Sequence, residues 1–240
     1  MINQIIKFHS NKMYNKKNDF HPVPSKLSFP KWFSKANKVW KFKDGTILKD
    51  MFGDDALSFK HCPALMDGFV SGYTLLTPCD IYFYKIGDKT KCYLPEEYKD
   101  FCEPREAMDE FVVPYGYSDD HFHWYPNWSA ELPEGYSALY INPINRYDLP
   151  FITTSGIIDS DNMTTSGFTP FFLKEGFTGT VPAGTPYIQI FPIKRDNWVM
   201  EKIFHDESSI QKRVSDSGNI FRIKGGGGYR DKMWEKKNFS

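Results

Sequence analysis

The 240-residue sequence lacks any apolar run approaching the ~20 residues that a membrane-spanning helix needs. Its start, Met1-Ile2-Asn3-Gln4-Ile5-Ile6-Lys7, turns polar too soon for the apolar core of a signal peptide. Cysteine is scarce: Cys62, Cys79, Cys92 and Cys102 are the only four, and no two form a C-x-x-C pair. That spacing excludes the usual zinc-finger and zinc-ribbon signatures. Without a signal sequence, the expectation is a cytoplasmic chain with free thiols. There is no internal repeat, which excludes solenoids and propellers. Net charge is also missing, since 30 basic side chains balance 30 acidic ones. What the sequence has instead is aromatic residues, 17% of the chain, with 25% charged and 40% hydrophobic. A chain with that much apolar surface to bury is not intrinsically disordered.

The zero net charge is a cancellation between unlike segments. Residues 1–49 carry 11 lysines against Asp19 and Asp44, a net of +9. Residues 50–135 carry 17 acidic and 6 basic side chains, a net of −11, and the remainder is +2. A basic arm ahead of an acidic body suits either nucleic acid or an acidic protein surface. The lysines are scattered rather than clustered, so the expected partner is the chain's own acidic part or a neighbouring subunit. Residues 1–45 would then mediate a homo-oligomer or another assembly contact, with no membrane partner. An arm held by charge alone would loosen at high salt.

Hydrophobic patterning predicts a mainly β protein. Residues 1–30 read as an extended arm. Pro30 opens a predicted helix through Trp32, Phe33, Ala36, Val39 and Trp40, closed by Asp44-Gly45. Residues 69–76 and 80–86 are rich in β-branched and aromatic side chains and predict strands. Prolines in the acidic stretch 95–110 predict one or two short helices. From 111 to 204, strand candidates recur every eight to twelve residues between turn signals such as Pro133-Glu134-Gly135 and Pro182-Ala183-Gly184. That rhythm predicts an antiparallel jelly-roll or cupin-like barrel, or a sandwich. Residues 206–216 predict a helix capped by Asp206, followed by the Gly225–Gly228 tail. The expected organisation is a basic arm and short helix at 1–45, one β-rich domain at 46–204, and a helix and tail at 205–240.

Three groups of residues carry candidate chemistry. His121 and His123, two apart, share one face of a strand, and Glu131 follows. Two imidazoles and a carboxylate are what a facial-triad site needs to hold a divalent metal such as Fe(II). Asp159, in Ser155-Gly156-Ile157-Ile158-Asp159, is a candidate catalytic carboxylate. Trp128, Asn142, Arg146, Tyr187 and Gln189 are candidate ligand-binding residues, because aromatics beside amides and a guanidinium suit a sugar or a base.

Local resemblances sharpen these readings. Gly176 to Tyr187, with its Pro182-Ala183-Gly184 turn, resembles the second cupin motif, with Tyr187 standing at the family's metal-binding histidine. Gly116 to Glu131 loosely resembles the first. The segment 155–192 looks like the third and fourth motifs of trimeric dUTPases. That resemblance implies that Asp159 contacts a deoxyribose hydroxyl and acts as general base on the hydrolytic water.

A longer ordered set covers most of residues 30–200. It runs Pro30-Lys31-Trp32-Phe33, His61-Cys62-Pro63, Pro78-Cys79-Asp80 and Asn127-Trp128, then Asn142-Pro143-x-Asn145-Arg146, Leu149-Pro150-Phe151, Ala183-Gly184-Thr185-Pro186 and Lys194-Arg195. It is similar to an uncharacterised phage and bacterial family, domain of unknown function 6065, which implies origin but no activity. The order of expectation is a non-catalytic ligand-binding or assembly protein, virion-associated in the phage case; then a cupin-like metal-dependent oxygenase; then a dUTPase-like hydrolase.

Overall fold

The structure is a computed structural model that describes residues 4–11, 20–50, 52–105, 112–163, 165, 167–221 and 227–240. Strand makes up 34% and helix 18% of the chain, so the protein is mainly β. The chain divides into two units. One comprises Met1–Ser28, Ser71–Arg195 and Phe239–Ser240; the other comprises Phe29–Val70 and Asp196–Asn238.

The first unit holds the sheets, and every strand pairing among the described residues is antiparallel. A five-stranded sheet is built from β2 (Val23–Pro24), β3 (Tyr73–Leu76), β9 (Tyr136–Ile141), β11 (Gly156–Ile158) and β14 (Pro186–Lys194). Its order is β11-β9-β14-β3-β2. A four-stranded sheet, β10-β12-β7-β6, uses β6 (Cys102–Pro104), β7 (Tyr117–Trp124), β10 (Phe151–Thr153) and β12 (Thr169–Lys174). A third sheet places β4 (Ile81–Ile86) between β5 (Lys89–Tyr93) and β13 (Gly179–Val181). Finally β1 (Lys7–Ser10) pairs with β8 (Trp128–Glu131). Each sheet is open, with none closed into a barrel.

The period-two alternation decides which face each strand buries. In β4, Ile81 and Phe83 are fully buried while Tyr82 and Tyr84 stack on each other on the other face. In β7, Phe122 and Trp124 enter the core beside Phe151 and Phe171. Trp124 lies flat on Phe171, with ring centroids 3.6 Å apart. β14 runs between β9 and β3, and the stretch from Pro186 to Ile190 is buried on both faces, so it reads as a near-continuous apolar run. Truncating any one of these fully buried rings to alanine costs about 3–5 kcal/mol.

The arm is held by backbone. Lys7 to Ser10 pair in register with Glu131 to Trp128, and Val23 and Pro24 pair with Thr74 and Tyr73. Lys7 adds an exposed ion pair to Glu131. Residues 7–10 thus dock on the acidic segment of the same chain, through backbone pairing, which salt does not screen, as well as through charge. Residues 12–19 lie outside the described residues.

The second unit carries α1 (Lys31–Lys35), α2 (Pro63–Val70), α3 (Glu207–Phe221) and α4 (Gly227–Lys232). The predicted helix from Pro30 stops at Lys35, not near Trp40. Lys60 donates to the carbonyls of Ser34 and Ala36 and so satisfies the helix end. Beyond it Val39, Lys41 and Lys49 form isolated bridges to Leu57, Ile47 and Asp55. The aromatic spacing there serves a cluster of Phe29, Trp32, Phe33, Phe59 and Phe69. Phe69 and Val70, predicted as strand, end α2, because Pro63 starts a helix there. In the stretch 95–110 only a 3₁₀ turn at Glu96–Tyr98 forms among described residues, and 106–110 lie outside them. Asp206 caps α3 as predicted, accepting from the Ser209 N–H. Of the Gly225–Gly228 run, the first two residues lie outside the described residues and the rest open α4.

Gly72 leads into β3 at φ +75°, and a Cβ there would sit 2.2 Å from the Ile190 carbonyl oxygen. Gly87 also has positive φ, but a Cβ there would meet open space. Gly72→Ala should therefore lower unfolding free energy by at least ~2 kcal/mol, and Gly87→Ala by about 1 kcal/mol, in urea titrations. Equal costs at the two sites would contradict the close approach.

Candidate functional site

The alternation that sends Phe122 and Trp124 inward puts His121 and His123 together on the opposite face of β7. Their rings lie 5.6 Å apart, and both side chains are buried. The β6–β7 register sets Glu103 directly across from His123, and antiparallel partners point the same way. Arg105 continues past β6, its N–H bonded to the His121 carbonyl. From there its Nε donates to His123 Nδ1 at 3.0 Å and Nη2 to the Tyr125 hydroxyl at 3.1 Å. The Tyr125 hydroxyl in turn donates to Glu103. Phe168 closes the set, stacked on His123 at 5.2 Å with Arg105 over its face.

This network fixes protonation. His123 Nδ1 accepts from a permanent cation, so the ring is neutral and its proton sits on Nε2. Burial and the Arg105 charge hold the imidazolium off, bringing the pKa down to about 4. His121 is lowered by the same two causes. Tyr125 is raised, by burial and by donating to Glu103.

Beside Tyr125 lies a groove lined by His9, Ser10, Asn11, Tyr125, Pro126, Asn127, Ser129, Thr165 and Gly167. It is an open, shallow groove of about 420 Å³, which is within the range of small-molecule sites. The opposite wall comes from the arm. Ser10 donates to the Asn127 carbonyl at 2.6 Å, and His9 bonds Glu131 at 2.9 Å. Lys7 holds the other Glu131 oxygen at 2.5 Å and keeps that carboxyl below its usual range.

Measured against the sequence, the two histidines share a face as predicted, but Glu131 does not join them. It lies on β8 and is taken by Lys7 and His9. Among the described residues no three His, Cys, Asp or Glu side chains gather to hold a metal ion. The guanidinium on His123 opposes a cation at that nitrogen. The residues named for an Fe(II) site therefore do not fit one.

Asp159 accepts from the Ser137 hydroxyl at 2.6 Å and lies 3.4 Å from Arg195. Arg195 also grips Asp161, whose carboxyl it holds down at about 2. These four residues tie the ends of β9, β11 and β14 together.

The five candidate ligand residues fall into two groups, Tyr187 with Trp128 on one small space and Gln189, Asn142 and Arg146 on one loop. Tyr187 is buried against Phe101 and Trp124, its hydroxyl raised by burial. Trp128 borders an enclosed space that admits about one water. Gln189 accepts from the Ile144 N–H and donates to the Ser71 carbonyl. Asn142 accepts from the Thr153 N–H, and Arg146 forks onto Asp148. Those three hold a loop in which Asn145 takes a left-handed φ of 58°.

Sequence reasoning passed over Glu103, Arg105 and His9. Each reaches the site from outside the His121–His123 pair's own strand, and no local spacing records that. No protein-family model, curated protein or solved structure matches the chain. No helix among the described residues is long and apolar enough to cross a membrane.

The His123 shift has a signed consequence. Its folded pKa, about 4, lies below the usual 6.5, so the unfolded chain binds the extra proton between those values. Stability should be level above pH 6.5 and fall as pH drops toward 4, by at most ~1.4 kcal/mol per pH unit from this group. An NMR titration should place the His123 midpoint near pH 4. A midpoint near 6.5 would break the Arg105–His123 assignment.

Proposed function

We propose that the protein is a non-catalytic ligand-binding protein, and that the groove beside Tyr125 takes a polyhydroxylated, saccharide-like ligand. The observation that carries this is the lining itself. Ser129 and Thr165 bring hydroxyls to the lining, Asn127 an amide and Tyr125 an aromatic face. Neutral donors and acceptors beside a ring suit sugar hydroxyls and the apolar face of a pyranose. The acidic groups next to the groove support recognition over turnover, because Glu103 and Glu131 are already engaged by Tyr125 and by Lys7 and His9.

The finer reading of the fold agrees with this function. Antiparallel sheets around one core are consistent with a jelly roll, an architecture that recurs in lectin and capsid domains. With the resemblance to a phage and bacterial family, that favours an accessory component, virion-associated, which uses the groove to contact surface glycans.

The test is a glycan array probed with the labelled full-length chain, followed by calorimetry with the best oligosaccharide retained. Asn127→Ala should weaken that binding about tenfold, which is the loss of a hydrogen bond or two. Tyr125→Ala should weaken it further. Absence of binding across the array, or binding indifferent to Asn127→Ala, would refute the saccharide site.

A further inference from the structure

Two of the four cysteines meet. Cys92 lies on β5, the edge strand of the three-stranded sheet, and Cys102 on β6, the edge strand of the four-stranded sheet. Their sulfurs are 3.9 Å apart, with the Cys102 thiol donating toward Cys92. The connection between them is short and structured. It contains the 3₁₀ turn at Glu96–Tyr98, and the Phe101 N–H bonds back to the Tyr98 carbonyl. Cys92 is half-buried, whereas Cys102 is 1% exposed. Cys92 is thus the partly exposed residue of the pair and Cys102 the buried one, and the Cys92 thiol donates to the Cys102 carbonyl at 3.5 Å.

We propose that Cys92 and Cys102 form a thiol–disulfide exchange site whose substrate is a low-molecular-weight disulfide of the oxidised-glutathione type. The Cys92 thiolate attacks one sulfur of the small disulfide. Its S–S bond breaks, one small thiolate leaves and takes a proton from water, and Cys92 carries a mixed disulfide. Cys102 then loses its proton and attacks the Cys92 sulfur, expelling the second small thiol. The protein gives up two electrons and two protons, and the small disulfide takes them up. The product staples the edges of two sheets through a bond that excess small thiol reverses.

The electrostatics assign the order of attack. Hydrogen bonding from Cys102 lowers the Cys92 pKa, while burial raises that of Cys102 well above the usual thiol range. Lys91 and Glu103, the neighbouring charges, exert weaker and opposed pulls on Cys92. Attack therefore starts at Cys92, as thiolate character and access both require. Cys79 is a bystander, pushed up to about 12 by burial and by Asp80 and Glu97. Cys62 is exposed and lies in the other unit of the chain.

The test uses the full-length Cys62→Ser protein, fully reduced and then equilibrated with oxidised and reduced glutathione at graded ratios. Samples are quenched in acid, alkylated, digested and mapped by mass spectrometry. Free thiols should fall from three to one, with Cys92 and Cys102 recovered in one linked peptide, and excess reduced glutathione should restore all three. In a Cys102→Ala background the reaction should stop at a glutathione adduct on Cys92. Three thiols surviving the most oxidising ratio would overturn the proposal. So would a parent protein that stops at the adduct, or a linkage that forms only after denaturation. Because the linkage is read directly in the parent protein, the outcome holds even where the Cys102 variant folds poorly, and it does not depend on saccharide binding.

Discussion

The buried indole of Trp124 constrains the β-rich unit more than any other group. Its ring lies flat on Phe171 at the centre of the core, where burial is complete. An indole N–H in that position must find an acceptor or cost about 1–3 kcal/mol. It finds the Thr153 hydroxyl at 3.0 Å, and that hydroxyl donates to the Tyr187 carbonyl at 2.8 Å. The Tyr187 carbonyl is free to accept because the β14–β3 register slips between Pro186 and Ile188. One relay therefore joins β7, β10 and β14, and it ties the four-stranded sheet to the five-stranded one. The irregularity in β14 and the orientation of β7 are two sides of one requirement.

The placement of the candidate site follows from that requirement. With Trp124 and Phe122 committed to the core, the strand's two-residue period leaves His121 and His123 no choice but the outer face. This much was legible in the spacing of Tyr117–Trp124, as were the strand rhythm from 117 to 194 and the Asp206 cap. What surrounds the histidines was not legible. Glu103 and Arg105 arrive across a strand pairing, Phe168 from the approach to β12, and His9 from an arm more than a hundred residues distant in sequence. A linear pattern records what one strand shows to each face. It does not record which strand lies alongside. Glu131 illustrates the same limit, since its nearness in sequence to His123 suggested a shared site, yet it bonds to β1.

The polar residues first assigned to ligand binding show a second limit. Asn, Gln and Arg in a β-rich chain serve either a ligand or the backbone of irregular loops, and the sequence looks the same in both cases. Here the decision lies in burial. Gln189 is 2% exposed, and both ends of its amide are spent on backbone, the Ile144 N–H and the Ser71 carbonyl. Buried loops leave backbone groups that need partners, and a central strand such as β14 is the nearest place from which to supply one. The residues that face the groove are smaller and less conspicuous. They include serines and a threonine outside any motif, beside Asn127 from the Asn127-Trp128 pair.

The electrostatics around the groove bear on what it does. Acid–base catalysis near neutrality needs a group that changes charge near the working pH. Three titratable groups around it are displaced from that range. His123 is held neutral by burial and Arg105, Glu131 is held ionised by Lys7, and Tyr125 is held protonated by burial and Glu103. Each of these three keeps a single charge state around pH 7, and the His9 imidazole stands in the groove lining beside them. The proposed thiol exchange lies elsewhere, at the pair between β5 and β6, where the contact that lowers Cys92 comes from the buried Cys102.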